Sequence, residues 1–281
     1  MKIAITGATG QLGRLTVTKL KEKTAKENLV ALVRTPEKAA DLGIETREFD
    51  YSKPETLGTS LQGIDTLFLI SGSEIGQRET QHKNVINAAK EAGVKRIVYT
   101  SLLYATDSEM ALAAEHVATE KLLAESGLSY TILRNGWYTE NYAGSISGAL
   151  QAGAFIGSAQ NGKISSATRE DFAEAAAVVL TTEGHENKIY ELAGDDAYTL
   201  SDLAAEISKQ TGKDIPYNDL TEEKYTKVLV SVGLPEGFAQ ILADSDAKAA
   251  KGSLYSEDKT LSKLIGRPTT PLADVVKDFI G

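Results

Sequence analysis

The chain has 281 residues, of which 42% are hydrophobic, 25% are charged and none is cysteine. This composition is typical of a globular protein with a sizeable core, and the lack of cysteine excludes disulfides and thiolate chemistry. The formal net charge of −9 argues against nucleic acid as an electrostatic partner, because phosphate binding depends on clustered Lys and Arg.

The chain opens on a predicted strand at residues 2–6, with no apolar signal-peptide segment before it. Apolar runs elsewhere fall far short of the ~20 residues that cross a bilayer. We therefore expect a cytoplasmic protein with no membrane partner.

Short β-rich runs alternate with longer helical patterns, which predicts parallel βαβ units. Crossovers between parallel strands are right-handed, so the fold class expected is α/β, with a doubly wound parallel Rossmann sheet. The predicted strands cover residues 2–6, 29–33, 45–48, 66–70, 96–101, 130–134 and 188–192. The predicted helices among them cover residues 11 to about 26, 54–61, 79–92, 108–125 and 171–180.

A glycine-rich loop lies directly between the first predicted strand and the first helix. Its glycines support a tight turn, close backbone approach to a pyrophosphate, and packing of the helix on the strand. The helix that follows presents N–H groups and a partial positive charge to the anion. The alternative is an ordinary glycine-rich turn, but the strand and helix on either side favour dinucleotide binding. The loop reads Gly7-Ala8-Thr9-Gly10-Gln11-Leu12-Gly13.

Arg34 stands at the end of the second predicted strand, where NAD-binding folds usually place an acidic residue for the ribose 2′-hydroxyl. A guanidinium suits the 2′-phosphate of NADP instead, and no carboxylate ends that strand to repel it. The alternative is a solvated surface arginine. We predict NADP as the cofactor, with NADPH preferred over NADH.

The pattern loosens after Ala143, where a polar, glycine-rich stretch replaces the alternation. From Thr199 onward helices dominate, at residues 201–211, 222–232, 236 to about 251, 259–265 and 272–280. We predict an NAD(P)-binding Rossmann domain at residues 1–153 and a smaller, mainly helical substrate-cleft domain at residues 154–281. Residues from about 170 to 193 are expected to rejoin the sheet.

Two further segments carry a family resemblance together with the glycine loop and Arg34. The chain resembles the NmrA-like branch of the atypical short-chain dehydrogenases/reductases over nearly its whole length. The resemblance implies an oxidoreductase that uses NADPH to reduce a small-molecule quinone by two electrons. The two segments are Leu69-Ile70-Ser71-Gly72-Ser73 and Leu133-Arg134-Asn135-Gly136-Trp137-Tyr138-Thr139-Glu140-Asn141-Tyr142.

The resemblance also implies a cofactor pocket. In related proteins a lysine touches the nicotinamide ribose, and His116 stands in its place here, where it would bond the ribose or donate a proton. The alternative is a histidine on the helix surface. His82 is a candidate to border the site, and His185 is expected to be solvated. The implied catalytic residues are His116, Asn141 and Tyr138, and the implied cofactor-binding residues beyond the glycine loop are Arg34, Ile70, Ser71, Gly72, His116, Tyr138, Thr139, Glu140 and Asn141.

The Tyr-x-x-x-Lys pair of alcohol-active short-chain dehydrogenases has no counterpart in the Rossmann region, although Ser101 is present. Tyr255 and Lys259 have that spacing but lie far down the chain, and Tyr104 has no lysine four residues on. Reduction of a plain ketone needs a strong acid for the alkoxide, whereas the anion formed from a quinone is delocalised. The lack of the pair therefore favours a quinone as acceptor.

Two other functions stay open from the sequence. One is a redox sensor that binds NADP without turnover and signals to another protein, and the other is a reductase for an enone or azo dye. No group of side chains has metal-ligand spacing, so no metal is expected. The sequence does not fix the oligomeric state.

Overall fold

The computed structural model describes residues 1–281 and contains two units. The first comprises residues 1–106, 114–135 and 169–191, and the second comprises residues 107–113, 136–168 and 192–281. The boundary predicted after residue 153 thus falls inside the second unit, because the chain leaves the first unit already after Asn135.

Nine strands and eleven α-helices are numbered along the chain. The strands are β1 (Ile3–Thr6), β2 (Leu29–Val33), β3 (Glu45–Glu48), β4 (Thr66–Leu69), β5 (Arg96–Leu102), β6 (Ser129–Asn135), β7 (Phe155–Gly157), β8 (Lys188–Leu192) and β9 (Tyr217–Asp219). The helices are α1 (Gln11–Lys21), α2 (Pro54–Ser60), α3 (Arg78–Glu91), α4 (Ala113–Glu125), α5 (Ala143–Ala152), α6 (Arg169–Thr181), α7 (Leu200–Thr211), α8 (Glu222–Ser231), α9 (Glu236–Ala249), α10 (Thr260–Ile265) and α11 (Leu272–Ile280).

A seven-stranded sheet of order β3-β2-β1-β4-β5-β6-β8 forms the centre of the first unit. The ladders that join β3 through β6 are parallel. The expected doubly wound Rossmann sheet is therefore confirmed. The strand order reverses between β1 and β4, and ligands of such folds bind beyond the strand ends at this switch point.

Burial explains why these runs form strands. Every residue of β1, β2, β4 and β5 is buried, which matches their nearly continuous apolar sequences in a sheet covered on both faces. The edge strand β3 reads Glu-Thr-Arg-Glu and is partly exposed, and charges on an edge discourage pairing with another chain.

The second unit contains the short parallel pair β7 and β9 together with α5 and α7–α11. Its α5 corrects the expectation of an irregular stretch after Ala143. Gly144 and Gly148 disfavour a helix by about 1 kcal/mol each relative to alanine, but α5 buries Ile146 and Ala149. Tertiary packing therefore overrides local propensity here.

Two predicted helices are shorter by more than one turn in the structure. The first ends at Lys21 rather than near residue 26, and the fourth begins at Ala113 rather than at residue 108. Residues 107–113 belong to the second unit, where the Ala111 N–H donates to Asp244 Oδ2 at 2.8 Å. None of the helices combines the length and the apolar character that crossing a membrane requires.

Candidate nucleotide-binding site

The glycine loop connects β1 to α1 at the carboxyl edge of the sheet. Gly7 has a φ of 57°, and its carbonyl accepts the Gly10 N–H at 2.9 Å, which closes a tight turn. A Cβ at Gly13 would lie 2.3 Å from the Gly7 carbonyl oxygen and 2.8 Å from Cα of Ala8. Only glycine therefore fits where α1 passes the loop.

The N-terminus of α1 suits an anion. Gly10 is the N-cap and supplies no side-chain cap, and no acidic residue occupies the first turn. The N–H groups of Gln11, Leu12 and Gly13 therefore lack a competing carboxylate, and the helix dipole adds a partial positive charge. These are the features by which a helix N-terminus holds a pyrophosphate, so the residues present fit the dinucleotide.

Arg14, which the sequence did not single out, fastens the loop from outside. Its Nε donates to the Thr9 carbonyl at 3.2 Å and its Nη2 to the Lys38 carbonyl at 3.0 Å. Its Nη1 pairs with Asp41 Oδ2 at 2.5 Å. The loop is thus tied to the turn that follows β2.

Side chains, rather than a strand ladder, hold the segment Ile70–Gly72 that follows β4. The Ile70 N–H donates to Thr6 Oγ1 at 2.9 Å, and the Ser71 N–H donates to Thr100 Oγ1 at 2.9 Å. Both threonines are buried, Thr6 as the last residue of β1 and Thr100 near the end of β5, and these two strands flank β4. The segment is therefore fixed from both sides.

Gly72 is held by a buried histidine. Its N–H donates to His82 Nε2 at 3.0 Å, which leaves the proton on Nδ1 to donate to Thr119 Oγ1 at 2.8 Å. Burial, aided by the charge of Arg78, lowers the pKa of His82 to about 4, so the ring is neutral at neutral pH. Arg78 Nε donates to the Gly72 carbonyl at 2.6 Å. His82 thus positions Gly72, a residue of the predicted cofactor pocket.

The structure brings this segment against the glycine loop. A Cβ at Gly7 would lie 3.8 Å from Cβ of Ile70. The Tyr51 hydroxyl donates to the Ile70 carbonyl at 2.9 Å and lies 2.5 Å from Thr6 Oγ1. Burial raises the pKa of Tyr51, so it remains a neutral donor.

Arg34 follows β2 directly, and its side chain is 66% exposed. Its Nη1 donates to Glu74 Oε1 at 3.0 Å, and Glu74 Oε2 accepts from Gln81 Nε2 at 2.8 Å. The prediction for Arg34 considered only carboxylates at the end of β2, and the structure adds one from another loop. No carboxylate ends β2 itself, but Glu74 reaches Arg34 from the loop after β4.

His116 lies inside the first unit and is only 7% exposed, so it is not a surface histidine. Its Nδ1 is 2.8 Å from the Tyr99 hydroxyl. Burial, followed by the charge of Arg78 and by His82, lowers the pKa of His116 to about 3. The ring is neutral near pH 7 and is not an imidazolium that could donate a proton there. Contact with the nicotinamide ribose stays a prediction.

His185, which was expected to be solvated, is instead half-buried and bonded. Its Nε2 lies 2.8 Å from the Thr182 hydroxyl, and its Nδ1 lies 2.7 Å from the Tyr190 hydroxyl. These contacts give it a structural role in the turn before β8.

The predicted site residues Tyr138–Asn141 belong to the second unit, where residues 139–142 form a 3-10 helix. The Thr139 N–H donates to the Ala167 carbonyl at 3.0 Å. Its hydroxyl lies 2.7 Å from Ser166 Oγ, which in turn lies 2.7 Å from the Tyr198 hydroxyl. Their part in cofactor binding stays a prediction from the resemblance.

Ser101 is occupied in a buried polar network. Its hydroxyl donates to Glu120 Oε1 at 2.5 Å. The same carboxylate accepts hydrogen bonds from Nε and Nη2 of Arg134, at 2.9 and 2.6 Å. Arg134 Nη1 donates to Glu191, whose other oxygen accepts the Tyr104 N–H at 2.8 Å. Ser101 is therefore a structural hydroxyl.

Tyr255 and Lys259 are also engaged elsewhere. The Tyr255 hydroxyl donates to Glu257, and Lys163 lies 5.6 Å from the ring centroid. Lys259 Nζ donates to the Asp195 carbonyl. Neither bond joins the tyrosine to the lysine, which supports the view that the spacing is coincidental.

The fold and the phosphate loop define a Rossmann-type dinucleotide-binding protein, and comparisons with known proteins give the family. A family model described as NAD(P)H-binding matches residues 7–183. The chain is 57% identical to quinone oxidoreductase 2 of Escherichia coli (strain K12), over 98% of this chain and 97% of that one. It is 30% identical to an NAD(P)H azoreductase of Xenophilus azovorans, over 98% and 96% of the two chains.

Solved structures agree with this. The crystal structure of the E. coli NADPH-dependent quinone oxidoreductase complexed with NADPH matches with a TM-score of 0.97 and 56% identity, over 99% of this chain and 100% of that one. Citrobacter sp. triphenylmethane reductase complexed with NADP(H) matches with a TM-score of 0.95 and 39% identity, over 99% and 100%. The chain belongs to the NAD(P)H-binding family, and the predicted NmrA-like resemblance is confirmed.

Proposed function

We propose that this chain is an NADPH-dependent oxidoreductase that reduces quinones by two electrons. The observation that carries the proposal is its similarity, along the full length, to the E. coli quinone oxidoreductase whose structure contains NADPH. The glycine loop and Arg34 supply the chemistry that such a cofactor needs. A reducing, cytoplasmic setting belongs to the same proposal and suits a chain without cysteine.

The residues of the first unit divide the work of holding the cofactor. The N-terminus of α1 receives the pyrophosphate, and Arg34 receives the 2′-phosphate. The segment Ile70–Gly72 forms a fixed wall beside the loop. Such preorganisation limits misplacement of the reacting carbon, and small misplacements can cost ~10²-fold in rate.

When bound, NADPH supplies a hydride from its nicotinamide ring. A quinone that accepts the hydride becomes a hydroquinone anion, and one proton from solvent completes the hydroquinone. The negative charge is delocalised over the ring, so the protein needs no strong acid. The neutral His116 and the occupied Ser101 are consistent with that requirement.

The roles of the remaining predicted residues also belong to the proposal. The resemblance implies that Tyr138, Thr139, Glu140 and Asn141 contact the nicotinamide end, and that His116 bonds its ribose through Nε2. Replacement of Asn141 by alanine should then lower kcat with quinone and leave the thermal midpoint of unfolding close to that of wild type. Unchanged kcat would remove Asn141 from the site.

The test combines cofactor titration with turnover. Wild type should bind NADPH more tightly than NADH, oxidise NADPH with a simple quinone, and fail with an unactivated ketone. Arg34→Asp should weaken NADPH binding by at least about tenfold, because a charge-assisted hydrogen bond is lost and a repelling charge is added. NADPH binding without turnover of any quinone would instead favour the regulatory alternative.

A further inference from the structure

We infer that Glu74 determines how strongly the site discriminates NADPH from NADH, because it competes with the 2′-phosphate for Arg34. This inference rests on the proposed use of NADPH. It assigns to Glu74 a role in specificity and none in the hydride transfer itself.

Contacts within the first unit carry the inference. Glu74 Oε1 accepts from Arg34 Nη1 at 3.0 Å. The carboxylate therefore already holds a donor group that a 2′-phosphate would bind. Glu74 Oε2 accepts from Gln81 Nε2 at 2.8 Å. Gln81 is buried, and the same amide nitrogen donates to Ser52 Oγ at 3.0 Å. The carboxylate is thus held toward Arg34 by a fixed neutral donor.

The backbone around Glu74 is anchored, so only its side chain has to move. Glu115 Oε1 accepts the N–H groups of Gly76 and Arg78, at 2.9 and 3.2 Å. On the other side, Gly72 is bonded through both its N–H and its carbonyl. Release of Arg34 therefore needs rotation of the Glu74 side chain and no rearrangement of the loop.

Charge determines which of the two nucleotides Glu74 disfavours. A carboxylate beside Arg34 repels the two negative charges of a 2′-phosphate and must give up its ion pair when the phosphate binds. The 2′-hydroxyl of NADH carries no charge, so the carboxylate does not repel it and keeps its ion pair with Arg34 when NADH binds. Glu74 therefore weakens NADPH binding and leaves NADH binding nearly unchanged.

The experiment measures binding of 2′,5′-ADP and 5′-AMP, which differ in the 2′-phosphate alone. Glu74→Gln should bind 2′,5′-ADP about tenfold more tightly than wild type at low ionic strength, given the strength of exposed charge interactions. The gain should shrink as salt screens the charges. Binding of 5′-AMP should change less than about twofold.

Glu91→Gln is the matched control. Glu91 is exposed at the C-terminal end of α3, the helix that follows the loop carrying Glu74, and the substitution changes the net charge equally. It should leave both affinities at wild-type values. Equal or weaker 2′,5′-ADP binding by Glu74→Gln, or an equal gain in the control, overturns the inference.

NADPH and NADH titration and quinone turnover of wild type, measured alongside, separate this inference from the proposed function. If wild type fails to prefer NADPH or to reduce quinones, the proposed function fails whatever Glu74→Gln does. If wild type behaves as proposed and Glu74→Gln leaves 2′,5′-ADP binding unchanged, only the role of Glu74 fails.

Discussion

Replacing His82 by asparagine should weaken NADPH binding, whereas replacing it by glutamine should not. The Nε2 atom accepts the Gly72 N–H at 3.0 Å, and Nδ1 donates to Thr119 at 2.8 Å. An asparagine amide reaches about as far as Nδ1, and a glutamine amide about as far as Nε2. Glutamine therefore keeps the acceptor for Gly72 and loses the Thr119 contact, whereas asparagine does the reverse.

The two variants should be about equally destabilised but differ in binding. Each loses one hydrogen bond of His82, which typically contributes about 1 kcal/mol, and leaves a partner with a deficit of about 1–3 kcal/mol. Only asparagine frees the Gly72 peptide. If restoring its position costs about 1–2 kcal/mol, the affinity for NADPH falls about 5- to 30-fold.

The assay is NADPH titration alongside urea denaturation of wild type and both variants. His185→Gln is the control, because both ring nitrogens of His185 are likewise hydrogen-bonded, there to two hydroxyl groups, and His185 lies far from Gly72 in the chain. Equal losses of affinity in the asparagine and glutamine variants would refute the positioning role of His82. So would wild-type affinity in the asparagine variant.

Three further outcomes are expected. The pKa values of buried His82 and His116 are lowered from 6.5 to about 4 and about 3, so the unfolded chain takes up these protons first as the pH falls. The free energy of unfolding, measured in urea, should therefore be constant above about pH 6.5 and fall between pH 6.5 and pH 4 by up to about 2.7 kcal/mol per pH unit. In His82→Gln, which keeps only one of the two histidines, the slope should be about half as large. Gly10→Val should abolish NADPH binding and leave the circular dichroism spectrum unchanged. Gly13→Ala should lower the free energy of unfolding by about 1–3 kcal/mol, because its Cβ would lie 2.3 Å from a backbone oxygen. Tyr255→Phe should lower the quinone rate less than about tenfold, and a larger loss, or ketone turnover by wild type, would reveal a general acid in the site.

The fold was predictable because its signals are local. Fully buried parallel strands need nearly continuous apolar runs, and these are legible in the sequence at β1, β2, β4 and β5. The glycine loop could be predicted for the same reason. Its three glycines serve a tight turn, the approach of the backbone to a phosphate and the packing of the helix, all within seven residues. By contrast, α5 depends on burial of Ile146 and Ala149, which no local pattern announces.

The parts of the site that sequence reasoning missed depend on residues far apart in the chain. Glu74 lies 40 positions after Arg34, and Thr100 lies 29 positions after Ser71. Each of these pairs forms because parallel strands bring their carboxyl ends to one edge. A signal was available for Glu74, because the loop after β4 and the end of β2 lie at the same carboxyl edge of the sheet, with only β1 between the two strands. Glu74 was missed because the prediction considered only the residues at the end of β2.

The two kinds of residue around the site should therefore give different phenotypes. Thr6, Thr100 and the neutral His82 fix the Ile70–Gly72 segment through uncharged hydrogen bonds. Such bonds do not distinguish a 2′-phosphate from a 2′-hydroxyl, so their loss should weaken NADPH and NADH alike. Arg34 and Glu74 are exposed and charged, and changes there should alter the ratio of the two affinities while leaving the position of the segment intact. A positioning variant that changed the ratio, or a charge variant that weakened both nucleotides equally, would show that the two functions are not separate.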